Sequence, residues 1–422
     1  MFGTCRHFVF VTFAWLVAQQ AGALSLEQAR ARAVADNPGL AQMRARYESL
    51  AEVAPQRGSL PDPMLSIAAA NFPWDDFDRN QEPMTQLQLG ISQKFPFPGK
   101  RALAREAALF EAETALTSVE ETRLQLEKDV AVTWWRLYYL DRSLETVRRN
   151  QALLRQFVEV ARTKYEVGKG LQQDVLLAQL ELSGLLDRAI RVEAMRADSA
   201  IALNLFMGAD PDEPVALERG EIDTLRPLAP QATLYSRAAA ARPLLDGRRS
   251  AIRASESRLA LAEKDYYPDF TVGVTYGQRD EDELGLSRQD FLSVKLSVSV
   301  PLYAGTRQDR QVAQRQRELA RSHHALNDER NRVLAAIASM ATDYRRASEQ
   351  LQLFDRGIIP QARQTMESML AGYQVDEVDF LNLVRAQVTL LRYELQYWQS
   401  FTEAKQSVAR LVAAVGGGDV HE

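Results

Sequence analysis

Three acids fall within four positions of the segment LAGYQVDEVDFL, at Asp376, Glu377 and Asp379. A fourth, Asp174, follows YEVGKGLQQ. Carboxylates set this close repel one another. Repeated around an axis, they would build a field that draws cations and turns back anions. The plainer reading is a solvated turn, with Asp174 serving the unpaired N–H groups at a helix start. Acid–base or metal chemistry lacks its usual companions. His323 and His324 are adjacent, so on a helix they point about 100° apart and form no chelating pair. Cys5 is the only cysteine, and the methionines do not cluster as soft-metal ligands would. No G-x-S-x-G, H-E-x-x-H or phosphate-loop motif occurs. No catalytic residue, metal site or cofactor is therefore predicted, and the chain is not expected to be an enzyme.

The amino terminus carries a different message. MFGTCRH supplies Arg6, FVFVTFAWLVA is apolar, and AGA at 21–23 fits small-residue cleavage before Leu24. Residues 1–23 are read as a secretory signal peptide. The chain has 51 Lys and Arg against 56 Asp and Glu, a net charge of −5, which argues against nucleic acid as a partner. No stretch approaches eighteen apolar residues, so no transmembrane helix is expected. An exported chain of this size is periplasmic, secreted, or part of an outer-membrane β-barrel.

The elements that position the acids are bounded by stiff joints. In KFPFPGKR, Pro96 and Pro98 end an alternating strand, QLQLGISQ, and Gly99 frees the backbone to turn. A helix without proline or glycine then runs to Gly168. A related joint, SVPLYAGTR, places Pro301 and Gly305 before a second long helix. Pro96 and Pro301 are 205 residues apart, as are Pro38 and Pro243, Pro63 and Pro268, and Asp174 and Asp379. Four landmarks at one offset predict a tandem duplication, 24–228 and 229–422, each half reading helix, strand pair, long helix, helix.

Long helices are predicted near 100–165 and 306–370. Each half's first and last helices, 25–57 with 171–207 and 231–264 with 378–415, together match the long one at ~100 Å. Val130, Trp134, Leu137, Leu140, Leu144, Val147, Gln151, Leu154 and Val158 form a coiled-coil-like seam, as do Val333, Ile337, Met340, Tyr344, Ala347, Leu351 and Phe354. The strands alternate apolar against small polar residues, which suits lipid on one side and water on the other. Their connections, 71–83 and 277–290, are long and acidic. Open sheet edges do not exist in lipid, and four strands cannot close a barrel. The predicted fold is therefore a mixed α/β membrane protein: a homotrimer with a 12-stranded β-barrel continued by a 12-helix α-barrel.

The chain resembles the TolC-type outer-membrane efflux proteins across nearly all of residues 24–422. LSLEQARARAVADNPGL (24–40), YEVGKGLQQDVLLAQLEL (165–182) and LAGYQVDEVDFLNLVRAQ (370–387) carry the likeness, and PFPGKR resembles the heavy-metal branch of resistance-nodulation-division efflux systems. The resemblance implies an exit channel in the outer membrane with helices extending into the periplasm. It implies a periplasmic adaptor protein and an inner-membrane pump as partners. It also implies that Tyr165, Gly168, Gly170, Asp174, Gly372 and Asp379 lie at a periplasmic tip where the adaptor docks and the channel closes. Two alternatives stay open: the duct of a type I protein secretion system, and a periplasmic coiled-coil structural protein. The solutes conducted are heavy-metal cations or drugs on this resemblance, and no pattern in the sequence identifies which.

Overall fold

The computed structural model describes residues 23–218, 225–282 and 284–421; the predicted signal peptide lies outside these except for Ala23. The chain divides into two compact units. One gathers residues up to Ala35, Asp129–Leu225 and Ser348–Lys405, the other Asp36–Lys128, Arg226–Ala347 and Gln406–Glu422. The elements run α1 (Leu26–Asp36), α2 (Pro38–Ala51), α3 (Val53–Gly58), β1 (Met64–Ala70), β2 (Gln86–Phe95), α4 (Lys100–Glu166) and α5 (Gln172–Met207). There follow α6 (Gln231–Ala241), α7 (Pro243–Lys264), β3 (Phe270–Gln278), β4 (Phe291–Val298), α8 (Gln308–Leu353), a π turn (Phe354–Ile358), α9 (Ile359–Gln374) and α10 (Phe380–Val415).

Three expected helices are broken, each near a proline. Pro38 and Pro243 stand at the first position of new helices, where a missing N–H costs nothing. Asn37 caps α2 by accepting from the Leu40 N–H at 3.1 Å. Pro360 follows the π turn. Its ring and absent N–H disfavour an α-helical turn before it, and the chain accommodates this with one extra residue. The predicted seam on α4 is buried: Val130, Trp134, Leu137, Leu140, Leu144, Val147, Gln151 and Leu154 are all 8% exposed or less. On α8, Val333, Ile337, Tyr344 and Ala347 are buried, and the seam loosens as the π turn begins.

In the first unit Trp134 and Tyr138 stack at 5.8 Å, Trp398 packs edge-on to Tyr138, and Phe401 packs edge-on to Trp398. Arg142 lies 5.1 Å over the Tyr138 ring. Trp134 also donates to the Leu24 carbonyl at 3.2 Å. Leu24 bridges in parallel to Leu217, so the chain just after the predicted cleavage point is tied into the fold.

In the second unit the four strands form one antiparallel sheet in the order β1-β2-β3-β4. The register aligns Leu65, Ile91, Val274 and Val294 in one row, and Ile67, Leu89, Tyr276 and Leu292 in the next. These eight are 39–79% exposed. The opposite face carries Ser66, Gly90, Thr275 and Ser293 in register. A Cβ on Gly90 would lie 2.7 Å from the Ser66 hydroxyl and 2.9 Å from that of Thr275, so this face is packed with small groups. β1 and β4 each keep one edge without a strand partner.

The carboxyl end closes a core in the same unit. Gly416, Gly417 and Gly418 all have positive φ, at 92°, 100° and 82°. They turn the chain back so that Val420 is fully buried with Ala229, Leu234, Leu245, Val333, Ile337 and Leu411. The Ala229 N–H donates to Val420 O at 3.0 Å, and Leu228 bridges His421.

Candidate functional site: the paired helix turns

The first turn ends α4 in the first unit. The Gly168 N–H donates to Tyr165 O at 3.0 Å and the Lys169 N–H to Lys164 O at 2.8 Å. Two such bonds with a left-handed residue between them close a helix, and Gly168 supplies that residue at φ 72°. Gly170 is needed for space instead. A Cβ there would lie 2.9 Å from Lys164 Cβ and 3.0 Å from the Tyr165 nitrogen. α5 begins after Leu171, which has no side chain to cap it, and Asp174 sits in its first turn.

The second turn repeats this closure with different residues. The Glu377 N–H donates to Gly372 O at 2.9 Å, and the Asp376 N–H lies 3.4 Å from Tyr373 O. Asp376 takes the left-handed place at φ 68°. Tyr373 and Asp376 are therefore the geometric counterparts of Tyr165 and Gly168, a spacing hidden in the sequence because aspartate stands for glycine. Gly372 is helical, and a Cβ on it would meet Val378 Cγ2 at 2.6 Å. Asp379 immediately precedes α10, its carbonyl accepting from the Asn382 N–H at 3.0 Å.

The two turns are side by side. Lys164 pairs with the Asp376 carboxylate, donates to Tyr373 O, and lies 4.4 Å over the Tyr373 ring. Leu154, Phe157, Ala161, Ala178, Tyr373, Phe380, Leu383 and Val384 form one buried core beneath them, drawn from α4, α5, α9 and α10. Burial pushes the Asp174 carboxyl above its ordinary value, and the charge of Asp379 adds to this against the pull of Lys164. The hydrogen bond from Lys164 holds Asp376 below its ordinary value. Burial, with Asp174 and Asp376 nearby, pushes the Tyr373 phenol up to about 12. The structure thus gathers Tyr165, Gly168, Gly170, Asp174, Gly372, Asp376, Glu377 and Asp379 at one place. Lys164 and Tyr373 were missed from the sequence. Lys164 was legible only as a basic residue in a last helical turn, and Tyr373 only by matching turn closures instead of a fixed offset.

The elbows form a separate cluster in the second unit. Gly99 has φ 95°. The Phe97 N–H donates to Asp269 Oδ1 at 3.0 Å, and Phe97 stacks on Tyr267 at 4.6 Å. Lys100 reaches Asp269 at 3.0 Å and Asp265 at 3.2 Å, and Lys94 reaches Asp269 at 3.1 Å. Pro96 and Pro98 are thus flanked by a clamp centred on Asp269. At the second joint Ser299 exchanges hydrogen bonds with Asp269. Gly305 needs no left-handed backbone, and Pro301 precedes a run of turns that reaches α8.

Among the described residues no group of three or more His, Cys, Asp or Glu could hold a metal ion, and no helix is long and apolar enough to cross a membrane. A sheet with an apolar exposed face, clamped to helices that end in matched turns, is the build of an outer-membrane channel protein. The chain belongs to the outer membrane efflux protein family, which matches it at residues 28–209 and 234–417. It is 21% identical to outer membrane protein TolC of Vibrio cholerae serotype O1 over 89% of this chain and 88% of that one. It is 19% identical to the cobalt-zinc-cadmium resistance protein CzcC of Cupriavidus metallidurans over 94% of this chain and 91% of that one. The outer membrane protein VceC of Vibrio cholerae has the same fold, with a TM-score of 0.79 at 20% identity, covering 93% of this chain and 96% of that one.

Proposed function

We propose that the protein is the outer-membrane exit duct of a tripartite efflux system. The sheet is the observation that carries this reading: one exposed apolar face, one face of small polar groups, and two open edges. In lipid those edges must be paired. Three chains supply twelve strands for a closed β-barrel, and their helices supply a 12-helix α-barrel in the periplasm. Each chain is a tandem duplication, 24–228 and 229–422, following removal of residues 1–23.

The paired turns are the periplasmic tip, where an adaptor docks on the surface around Tyr165, Gly168, Gly170, Asp174 and Gly372. Asp376, Glu377 and Asp379 are the gate acids. Because Lys164 balances Asp376, Glu377 and Asp379 carry most of the gate's field. The pump is an inner-membrane protein of the resistance-nodulation-division type. Similarity to CzcC and the PFPGKR elbow support heavy-metal cations as cargo, conducted passively without a dedicated binding site.

The mass of the detergent-extracted complex tests the assembly, with three chains expected and a stable inserted monomer fatal to the reading. In planar bilayers the wild type should prefer cations. Asp376→Asn, Glu377→Gln and Asp379→Asn together should weaken that preference, most at low salt where screening is least. Unchanged selectivity would move the gate elsewhere.

A further inference from the structure

One face of α8 carries Arg310, Arg317, Arg321 and His324, all exposed. Spacings of seven, four and three keep them in a single row. The opposite face of α8 packs on α7, where Ser322 meets Ser255 at 3.1 Å and Gln311 meets Asp265 at 3.0 Å. Nearby charges on α8 are already matched, Arg315 with Glu318 at 2.7 Å and Arg332 with Asp328 at 2.7 Å. Arg321 lies one turn from Glu318, which Arg315 holds.

The second unit shows where a complement lies. α7 packs on α4, through Arg253–Glu113 at 2.7 Å and the close approach of Gly247 to Thr117. α4 in turn meets the end of α3, where Arg101 donates to Gly58 O at 3.3 Å. The helices α2/α3, α4, α7 and α8 therefore lie in sequence, with α8 at one margin and α2/α3 at the other. On the margin helix, Leu40, Leu50 and Ala54 turn inward. Glu48 and Glu52 are exposed, one turn apart, on the side away from that contact. Asp62 is exposed just beyond α3. Arg46 and Arg57 project to the other flank by their positions on the helix, whereas exposed Arg44 ends the acidic row one turn before Glu48, as exposed Asp328 ends the basic row one turn after His324.

The levels also match. Ser322 faces Ser255 and Glu113 faces Arg253, while Gly58 lies beside Arg101 and Arg105. Neighbouring helices in the series are antiparallel, so counting along them sets Arg321 level with Glu52, His324 with Glu48, and Arg310 with Asp62, to within about one turn. We infer that the basic row of α8 docks against the acidic margin of α2/α3 on a second copy of this chain, an electrostatic seam that fixes how copies join. This rests on the homotrimer proposed above and goes beyond it by naming the seam. Opposite charges at both margins of one chain let each copy join the next head to tail, the arrangement that closes a ring. Like charges would meet in any other pairing, which costs the wrong register more than it strengthens the right one.

The test exploits a sequence whose one cysteine, Cys5, lies in the predicted signal peptide. Glu52→Cys combined with Arg321→Cys should, on oxidation in the membrane, give a ladder of two and three linked chains on a non-reducing gel. Either single variant should give none. In a separate series, Arg317→Glu with Arg321→Glu should lower the assembled fraction at low salt at least ~10-fold. Adding Glu48→Arg and Glu52→Arg should bring it back to within about threefold of the wild type. A wild type of three chains without cross-linking would overturn the seam alone, as would an assembly defect that the second reversal does not repair. A wild type that is a single chain would overturn the trimer and the seam with it.

Discussion

At the residue scale the paired turns hold two carboxylates of opposite temper. Asp376 occupies a left-handed backbone position that costs a non-glycine residue about 1 kcal/mol, and Lys164 offsets this by pairing with it. Its depressed pKa means that it stabilises the turn above the ordinary carboxylate range. That contribution is lost only as pH falls through the depressed value. Asp174 has a raised pKa, so its contribution is present below the ordinary range and lost as pH rises through the raised value. At neutral pH it is a standing cost, augmented by Asp379. Acidification should first quieten the paired turns, as Asp174 takes up a proton, and then loosen them as Asp376 does. Opening frequency of the proposed gate in a bilayer, followed from neutral pH to well below the ordinary carboxylate range, reads both phases. Asp174→Asn should remove the first and Asp376→Asn the second. Profiles identical to the wild type in both variants would contradict this.

At the element scale the π turn at Phe354–Ile358 holds one residue more than an α-helix needs. Deleting Gly357 should convert it to regular helix while α9 keeps its rotation, and the proposed trimer should still assemble, as the mass of the detergent-extracted complex would show. Deleting Ala338 from the regular part of α8 should rotate everything after it by about 100° and abolish the complex. Equal losses would show that the π turn has no such slack. The elements themselves were legible. Period-2 alternation marked QLQLGISQ as a strand, and it lies within β2; the spacing of Val130 through Leu154 named a seam that is buried. What escaped was local closure. Pro38 and Pro243 served as landmarks of the repeat, yet they also break helices. Pro360 follows a π turn that no sequence period announces. The equivalence of Asp376 with Gly168 appears only when backbone hydrogen bonds are compared, because a left-handed aspartate looks like any exposed acid. Lys164 meets Asp376 across 212 positions of sequence, a contact that helix patterns cannot report.

At the scale of the whole molecule, the segment that follows α10 settles a question of timing. Val420 fills a core lined by residues from 229 to 245 and 333 to 337, beyond three glycines that bend the chain back. Truncation after Gly416 leaves every helix intact and removes this closure. The loss of Val420 burial alone is worth about 1.5–3 kcal/mol. The truncated chain should be exported but accumulate little assembled complex, as membrane fractionation would show; wild-type accumulation would make the tail dispensable. A chain synthesised amino end first delivers these residues after all the described helices. Until then, the apolar lining stays open to proteases and folding helpers, so an unfinished copy advertises its own incompleteness. Residues 416–420 act as a seal of manufacture: only a copy that has received them can hide that lining and enter the proposed trimer.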